Sequence, residues 1–263
     1  DDAYRTAITL KKAGLSVPVI LDARAAGDGA LAAQARDLGI RVENGKGITK
    51  VLGGKRVTGV EICAQAGEGA VIETIACDAV AMSGGWSPVV HMYSHCGGKL
   101  HWDADAVMFR PNLDKAPTNH DGIGFVMPAG AANGELTLAA TLADATTRAK
   151  EVVKALGKKA PSTRVPEAQD VEEAAIEAVW MMPQGAGIKL RMKAWLDYQN
   201  DVKISDVQLA AREGYESVEH TKRYTTLGMA TDQGKLSNIN GLATLAGALN
   251  ADIPAVGTTT FRP

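Results

Sequence analysis

Cysteine is scarce in this 263-residue sequence, and Cys63, Cys77 and Cys96 stand too far apart for a CxxC metal or redox motif. Their odd number also argues against a closed disulfide set, so a reducing, cytoplasmic setting fits best. Charge of one sign is missing too. A formal net charge of -2, with acidic and basic side chains interspersed, provides no global field to gather nucleic acid or an anionic membrane, and both partners are discounted. No apolar run approaches the roughly 18 to 20 residues of a membrane helix, and DDAYRTAITLKK lacks the basic-then-apolar order of a signal peptide. Nucleophile elbow, phosphate-binding P-loop, internal repeat and low-complexity tract are all absent. Aromatics make up only 5%, while alanine and glycine abound, a balance common among α/β nucleotide-binding proteins and many others. With 46% hydrophobic residues the chain can build one large core or two smaller ones. Both ends read as cut boundaries, the start opening directly in a helical pattern and the finish lacking a tail.

The hydrophobic spacing predicts a helix over Ala3 to Ala13 stopped by Gly14, a buried strand over Val17 to Leu21, a second helix over Gly29 to Leu38 and a strand over Gly39 to Val42. That alternation is the pattern of a doubly wound sheet. The period then drops to two in Ile48 to Leu52, Arg56 to Cys63 and Ala70 to Ala76, separated by glycine turns, which predicts an antiparallel meander. A further apolar strand over Asp78 to Met82 runs into Ser83-Gly84-Gly85-Trp86. Residues His91 to Pro117 are loop-rich and receive no assignment. A long helix follows from Leu136 to Leu156, then a linker over Gly157 to Pro166, a helix over Ala168 to Trp180 broken at Gly185 and Gly187, an extended piece over Lys193 to Gln199, and helices over Ser205 to Glu213, Ser217 to Tyr224 and Asn238 to Leu249. The expected domains are 1–88, a degenerate second Rossmann-like nucleotide-binding domain; 89–160, a return segment to a first NAD-binding domain; and 161–263, a small helical domain.

Candidate binding residues fall into four groups. Asp22 closes a strand after an opening helix, where a dinucleotide domain holds its ribose-binding acid. The glycine-rich turn that should precede that helix is not in this sequence, and Asp1 and Asp2 would repel a pyrophosphate, so a structural role is favoured. Gly84, Gly85 and Trp86 sit at the expected ligand edge, or merely allow a tight crossover. Gly130, Ala131, Asn133 and Gly134 precede a helix whose first N–H groups would face a ligand, unless this is an ordinary strand-to-helix turn. Lys222, Arg223, Thr225, Thr226, Thr231 and Lys235 bring cations and hydroxyls into one turn-rich stretch with Gly228 and Gly234. They form either an anion cradle or a helix end with a basic last turn. His91 and His95 have the i, i+4 spacing of metal ligands, but the surrounding composition argues against a helix, and no metal site is expected.

The block EHTKRYTTLGMATDQGKLSN, with QNDV, AAREGYESVEH, the closing GTTTFRP, DDAYRTAITLKKAG, LDAR, SGGWSPVVH and GAANG, resembles the alpha subunit of heterotetrameric bacterial sarcosine oxidases along essentially the whole chain. The resemblance implies an α/β, FAD/NAD-linked reductase-like nucleotide-binding fold with an antiparallel meander insertion, then a small mostly helical domain. That last domain is similar to the [2Fe-2S] BFD-like domain of opine oxidases and bacterioferritin-associated ferredoxins, but no cysteine follows Cys96 and Asp232 and Ser237 stand where two would align, so no iron–sulfur cluster is expected.

In that family the alpha subunit binds NAD, the beta subunit carries the FAD that oxidises sarcosine, and an FMN at the alpha–beta boundary passes electrons to oxygen. Smaller gamma and delta subunits and a tetrahydrofolate-binding domain complete the assembly. The resemblance therefore implies a subunit of a flavin-dependent amine oxidoreductase with no catalytic residue on this chain. Gly130 to Gly134 would touch NAD with Gly84, Gly85 and Trp86 nearby, and Lys222, Arg223, Thr225, Thr226 and Lys235 would face FMN. A non-catalytic interaction module and an NAD-dependent reductase subunit of an opine-oxidase-like enzyme remain the alternatives.

Overall fold

A computed structural model describes residues 1–170 and 172–258. The last five residues of the GTTTFRP motif, 259–263, and Val171 within the helix expected over 168–180 lie outside the described residues. Two compact units emerge: Asp1–Ser83 packs with the chain from Glu172 onward, and the stretch from Gly84 forms the other. The first and last thirds of the sequence thus share one unit, with boundaries near residues 83 and 171 where the sequence pattern pointed to 88 and 160.

In the first unit, α1 (Asp2–Lys12), β1 (Val19–Asp22), α2 (Ala30–Asp37) and β2 (Arg41–Asn44) alternate as their spacing predicts. β1 and β2 pair in parallel, from Val19 opposite Arg41 to Asp22 opposite Asn44. The inward stripes Tyr4, Ala7, Ile8 and Leu31, Ala32, Ala35 close on Ile20 and Ile40, so the 3.6-residue period of each helix aims one face at the strands. β3 (Lys46–Gly53), β4 (Val57–Ala64) and β5 (Glu73–Ala76) form the antiparallel meander in sequence order.

The strand expected over Asp78 to Met82 does not form; the stretch has no regular structure, and Met82 is 86% exposed. Apolar side chains give such a run β-propensity, but a strand also needs a neighbouring edge to bond, and no strand among the described residues pairs with it.

The second unit holds a short helix α3 (His91–His95), a hairpin of β6 (Leu100–Asp103) and β7 (Met108–Pro111), a 3-10 turn over Gly130–Asn133 and the long helix α4 (Leu138–Ala155). The helix at His91 and His95 is the reverse of what the surrounding composition pointed to: four-residue spacing closes one turn, and Gly98 lets its backbone lie against the Tyr93 ring. The imidazoles meet edge to face, centroids 6.5 Å apart. Among the described residues no group of three or more His, Cys, Asp or Glu is placed to hold a metal ion. α4 matches its predicted span within two residues and is capped by Thr137, whose hydroxyl accepts from the Ala140 N–H.

The helix expected over Ala168 to Trp180 is absent; residues 172–180 run without regular structure. The acidic side chains that should favour a helix start bind elsewhere instead: Glu173 pairs with Arg5, and Glu177 accepts from the Ala25 N–H. Beyond them the backbone at Met181 and Gln184 bonds Gln65, docking the returning chain on the meander.

The remainder is short: α5 (Ile188–Arg191), β8 (Trp195–Asp197), β9 (Val202–Lys203), α6 (Ile204–Arg212), α7 (Val218–Thr225) and α8 (Asn238–Leu249). α8 buries every residue from Gly241 to Ala246 and forms the centre of this part of the unit. Among the described residues no helix is long and apolar enough to cross a membrane.

Candidate functional site

The basic block begins on the last turn of α7. Thr221 faces inward at 1% exposure, Lys222 is half-buried, and Arg223 points outward at 72% side-chain exposure, pairing with Glu219 one turn back. Thr226 caps the helix in the left-handed region at φ 64°, unusual for a β-branched residue. What holds it is a neighbouring turn. Asn200 Nδ2 donates to the Thr226 carbonyl at 2.9 Å, the Gly228 N–H donates to Asp197 Oδ2 at 2.9 Å, and the Thr231 N–H donates to Gln199 Oε1 at 2.9 Å.

The threonine hydroxyls are engaged within the protein. Thr225 donates to the Thr221 carbonyl at 2.7 Å, Thr226 to the Thr225 carbonyl at 2.5 Å, and Thr231 to Gln199. Each hydroxyl keeps an accepting lone pair, but its proton is spent inside the fold. The cations of the block are Lys222 and Arg223 at the α7 end and Lys235 before α8, and between them in sequence Gly228 and Gly234 lie against the buried Asn238. Asn238, 1% exposed, has neither amide atom hydrogen-bonded, and the neighbouring Ser237 hydroxyl is likewise buried without a partner.

Asp197 escaped the sequence reading. It is 4% exposed and its carboxylate accepts from the N–H groups of Gln199, Asn200 and Gly228, so it orients the start of the basic block. The Asp-Tyr-Gln-Asn run is a usable signal, because an aspartate that bonds the N–H groups two and three residues on makes an Asx turn.

In the second unit the Gly130–Asn133 turn is a closed knot. The Gly130 N–H, a natural phosphate donor, bonds Asp144 Oδ2 at 2.8 Å, and Asn133 Nδ2 bonds the other carboxylate oxygen at 3.3 Å. Arg110 donates to the Asn133 carbonyl and to Glu135 at 2.6 Å. A Cβ on Gly134, at φ 92°, would stand 2.5 Å from Arg110 Nε, so only glycine fits. The first N–H groups of α4 are likewise taken, Ala139 by Asp170 and Ala140 by Thr137. The open helix N-terminus expected there is thus capped by the chain itself. Ala131 remains exposed beside it. Gly84 and Gly85 are exposed with nothing within 4 Å of an added Cβ, and Trp86 is 71% exposed.

Asp22, 8% exposed, sits in a buried ion network. Tyr4 Oη donates to it at 2.8 Å, and Arg24 donates through its backbone N–H at 2.9 Å and its guanidinium at 2.8 Å. Burial by itself would raise this carboxyl, but the hydrogen bonds from Arg24 and Tyr4 outweigh it and hold Asp22 below the ordinary carboxylate range. The Tyr4 phenol moves up, through burial first and then through its bond to the carboxylate. Both Asp22 oxygens are thus engaged within the fold, Oδ1 by Arg24 and Oδ2 by Tyr4 and Arg24.

Residues 191–263, beginning at the end of α5, match the family described as the sarcosine oxidase A3 domain. The whole chain is 41% identical to the sarcosine oxidase subunit alpha of Rhizobium meliloti (strain 1021), of which it covers 24%. It is 34% identical along its whole length to the subunit alpha of Corynebacterium sp. (strain P-1), covering 27% of that protein. The chain thus spans about a quarter of the length of these relatives. Among solved structures, the L-proline dehydrogenase from P.horikoshii superposes on 94% of this chain and 47% of its own, with a TM-score of 0.61 and 18% identity, which shows a shared mixed α/β fold.

Proposed function

The chain is homologous along its whole length to a segment of the sarcosine oxidase alpha subunit, and on that premise we propose that it is the part of such a subunit that supports NAD and FMN sites without carrying out amine oxidation. The reaction of the assembly would be oxidative demethylation of sarcosine to glycine, giving formaldehyde or 5,10-methylenetetrahydrofolate and hydrogen peroxide. FAD on a beta subunit would take the electrons, gamma and delta subunits would complete a cytoplasmic heterotetramer, and a folate-binding domain would lie elsewhere in the polypeptide. The whole-length identity carries this reading.

The cofactors divide by how their chemistry fits. FMN carries a phosphate, and Lys222, Arg223 and Lys235 are donors suited to one, while Thr225 and Thr226, whose hydroxyl protons are bonded within the fold, would shape the turn beside it. When bound there, FMN would relay electrons; this chain's residues would hold its anionic end and its subunit boundary. NAD suits the second unit, where Gly84, Gly85, Trp86 and the surface at Ala131 would lie along it, with Gly130, Asn133 and Gly134 shaping the turn instead of donating to phosphate. Residues 89–160 would then return to a first NAD-binding domain. The exposed apolar side chains of α4, Leu138 at 60% and Leu156 at 67%, support such a cover. The cluster α6–α8 is read as the BFD-like domain with its cysteines lost.

The test is FMN retention by this chain mixed with intact beta subunit. Lys222→Ala with Arg223→Ala is expected to weaken retention at least tenfold. Retention equal to that of the unaltered chain would remove the FMN assignment, and no flavin uptake by the unaltered mixture would remove the functional reading.

A further inference from the structure

The carboxyl edge of a parallel strand pair is where α/β sheets of this kind receive their ligands. In the first unit that edge lies after Asp22, beside the start of α2, and residues 173–177 of the same chain lie across it. Four contacts on five consecutive residues hold them. Glu173 accepts from Arg5 Nη2 at 2.6 Å, the Ala174 N–H donates to Asp1 Oδ2 at 2.8 Å, the Ala175 carbonyl accepts from Arg24 Nη1 at 3.2 Å, and Glu177 accepts from the Ala25 N–H at 2.9 Å. An added Cβ on Gly29, the residue that opens α2, would stand only 3.4 Å from the Ala174 Cβ.

We propose that this edge is a carboxylate-binding site, built from Arg5 and the Ala25 N–H with Arg24 holding the Ala175 carbonyl, that the chain fills with its own Glu173–Glu177 segment, so that this unit takes no nucleotide phosphate. The charges argue the same way as the contacts. Around the edge Asp1, Asp2, Asp22, Asp28, Glu173 and Glu177 set six carboxylates against the three guanidiniums of Arg5, Arg24 and Arg36. A pyrophosphate arriving there would meet net negative charge, while the guanidiniums already have partners. Close packing closes the remaining approach: a Cβ on Gly27 would stand 2.3 Å from Asp22 Oδ2, leaving the loop pressed onto the carboxylate.

Amide exchange and NMR on the 263-residue chain test it. The Ala25 and Ala174 amides are expected to exchange at least tenfold more slowly than in an unstructured peptide, and Ala25 to lose that protection in Glu177→Ala while largely keeping it in Glu177→Gln, whose amide oxygen still accepts. ADP, added as the probe, is expected to leave the amides of residues 22–29 unshifted. Exchange of both amides at free-peptide rates in the unaltered chain would overturn the closed edge, and saturable ADP shifts at residues 22–29 would overturn the exclusion of phosphate.

Discussion

α8 and α4 are both alanine-rich helices, yet α8 is buried from Gly241 through Ala246 without a break while α4, half as long again, has no residue that is fully buried. The ion networks of the two units divide in the same way. Arg24 with Asp22 sits at 14% and 8% side-chain exposure in the first, and Arg110 with Asp103 at 25% and 23% in the second. Helical periodicity says which side chains share a face; it does not say whether anything covers that face. In α8 the cover is α6, α7 and the turn after Thr226, all close in sequence. On α4 Leu138 lies open, as does Leu156 just past its end, while Leu142 and Val153 are half-buried.

The contrast can be broken most forcefully at Asp22. Asp22→Ala leaves the Tyr4 hydroxyl without its acceptor in a buried site and Arg24 with Asp1 as its remaining carboxylate, and is expected to lower first-unit stability by about 3 kcal/mol in urea denaturation. Asp103→Ala in the second unit should cost about 1 kcal/mol, because the pair is longer, at 3.3 Å, and solvent reaches about a quarter of each side chain. An equal cost at both would dissolve the distinction. The folded value of Asp22 is lowered, so its stabilisation is whole above about pH 4 and fades as pH falls through that lowered value; Asp22→Asn should flatten this acid-side slope.

Leu245, at 0% exposure, provides the next comparison. Leu245→Ala should cost about 2–5 kcal/mol by leaving a cavity, whereas Leu138→Ala on α4 should stay within about 0.5 kcal/mol. A large loss at Leu138 would mean that α4 is covered in solution. The two glycines of α8 sharpen the picture within a single helix. A Cβ on Gly241 would stand 2.3 Å from Leu227 Cδ2, so Gly241→Ala is expected to destabilise by about 1–3 kcal/mol. Gly247 has nothing within 4 Å of an added Cβ, and Gly247→Ala should stabilise by about 0.5–1 kcal/mol in the same denaturation series.

Much of the first unit was readable in advance. The opening helix, strand, helix, strand order and the three-strand meander follow from periods of 3.6 and 2 with glycine turns between, signals carried within each element. Asp78 to Met82 and Ala168 to Trp180 went astray for one reason: each has local propensity for a regular element, but the outcome rested on a distant edge or on distant arginines. The site reading shows the same limit. Lys222, Arg223 and Lys235 stand out in the sequence as cations near glycines, while the direction of the neighbouring threonine hydroxyls depends on Gln199 and on helix backbone.

Kinship with the sarcosine oxidase alpha subunit, the element types of the periodic stretches and the lack of a cysteine after Cys96 were determined by the order of residues alone. Only the tertiary structure decided that Asp144 takes the Gly130 N–H, that Asp197 anchors the basic block, and that Glu173 and Glu177 lie over the edge beside Asp22. The physical reason is range: helix and strand periods repeat every few residues, whereas a carboxylate bonds whichever donor the fold carries to within about 3 Å, and these donors lie from 14 to 168 residues away.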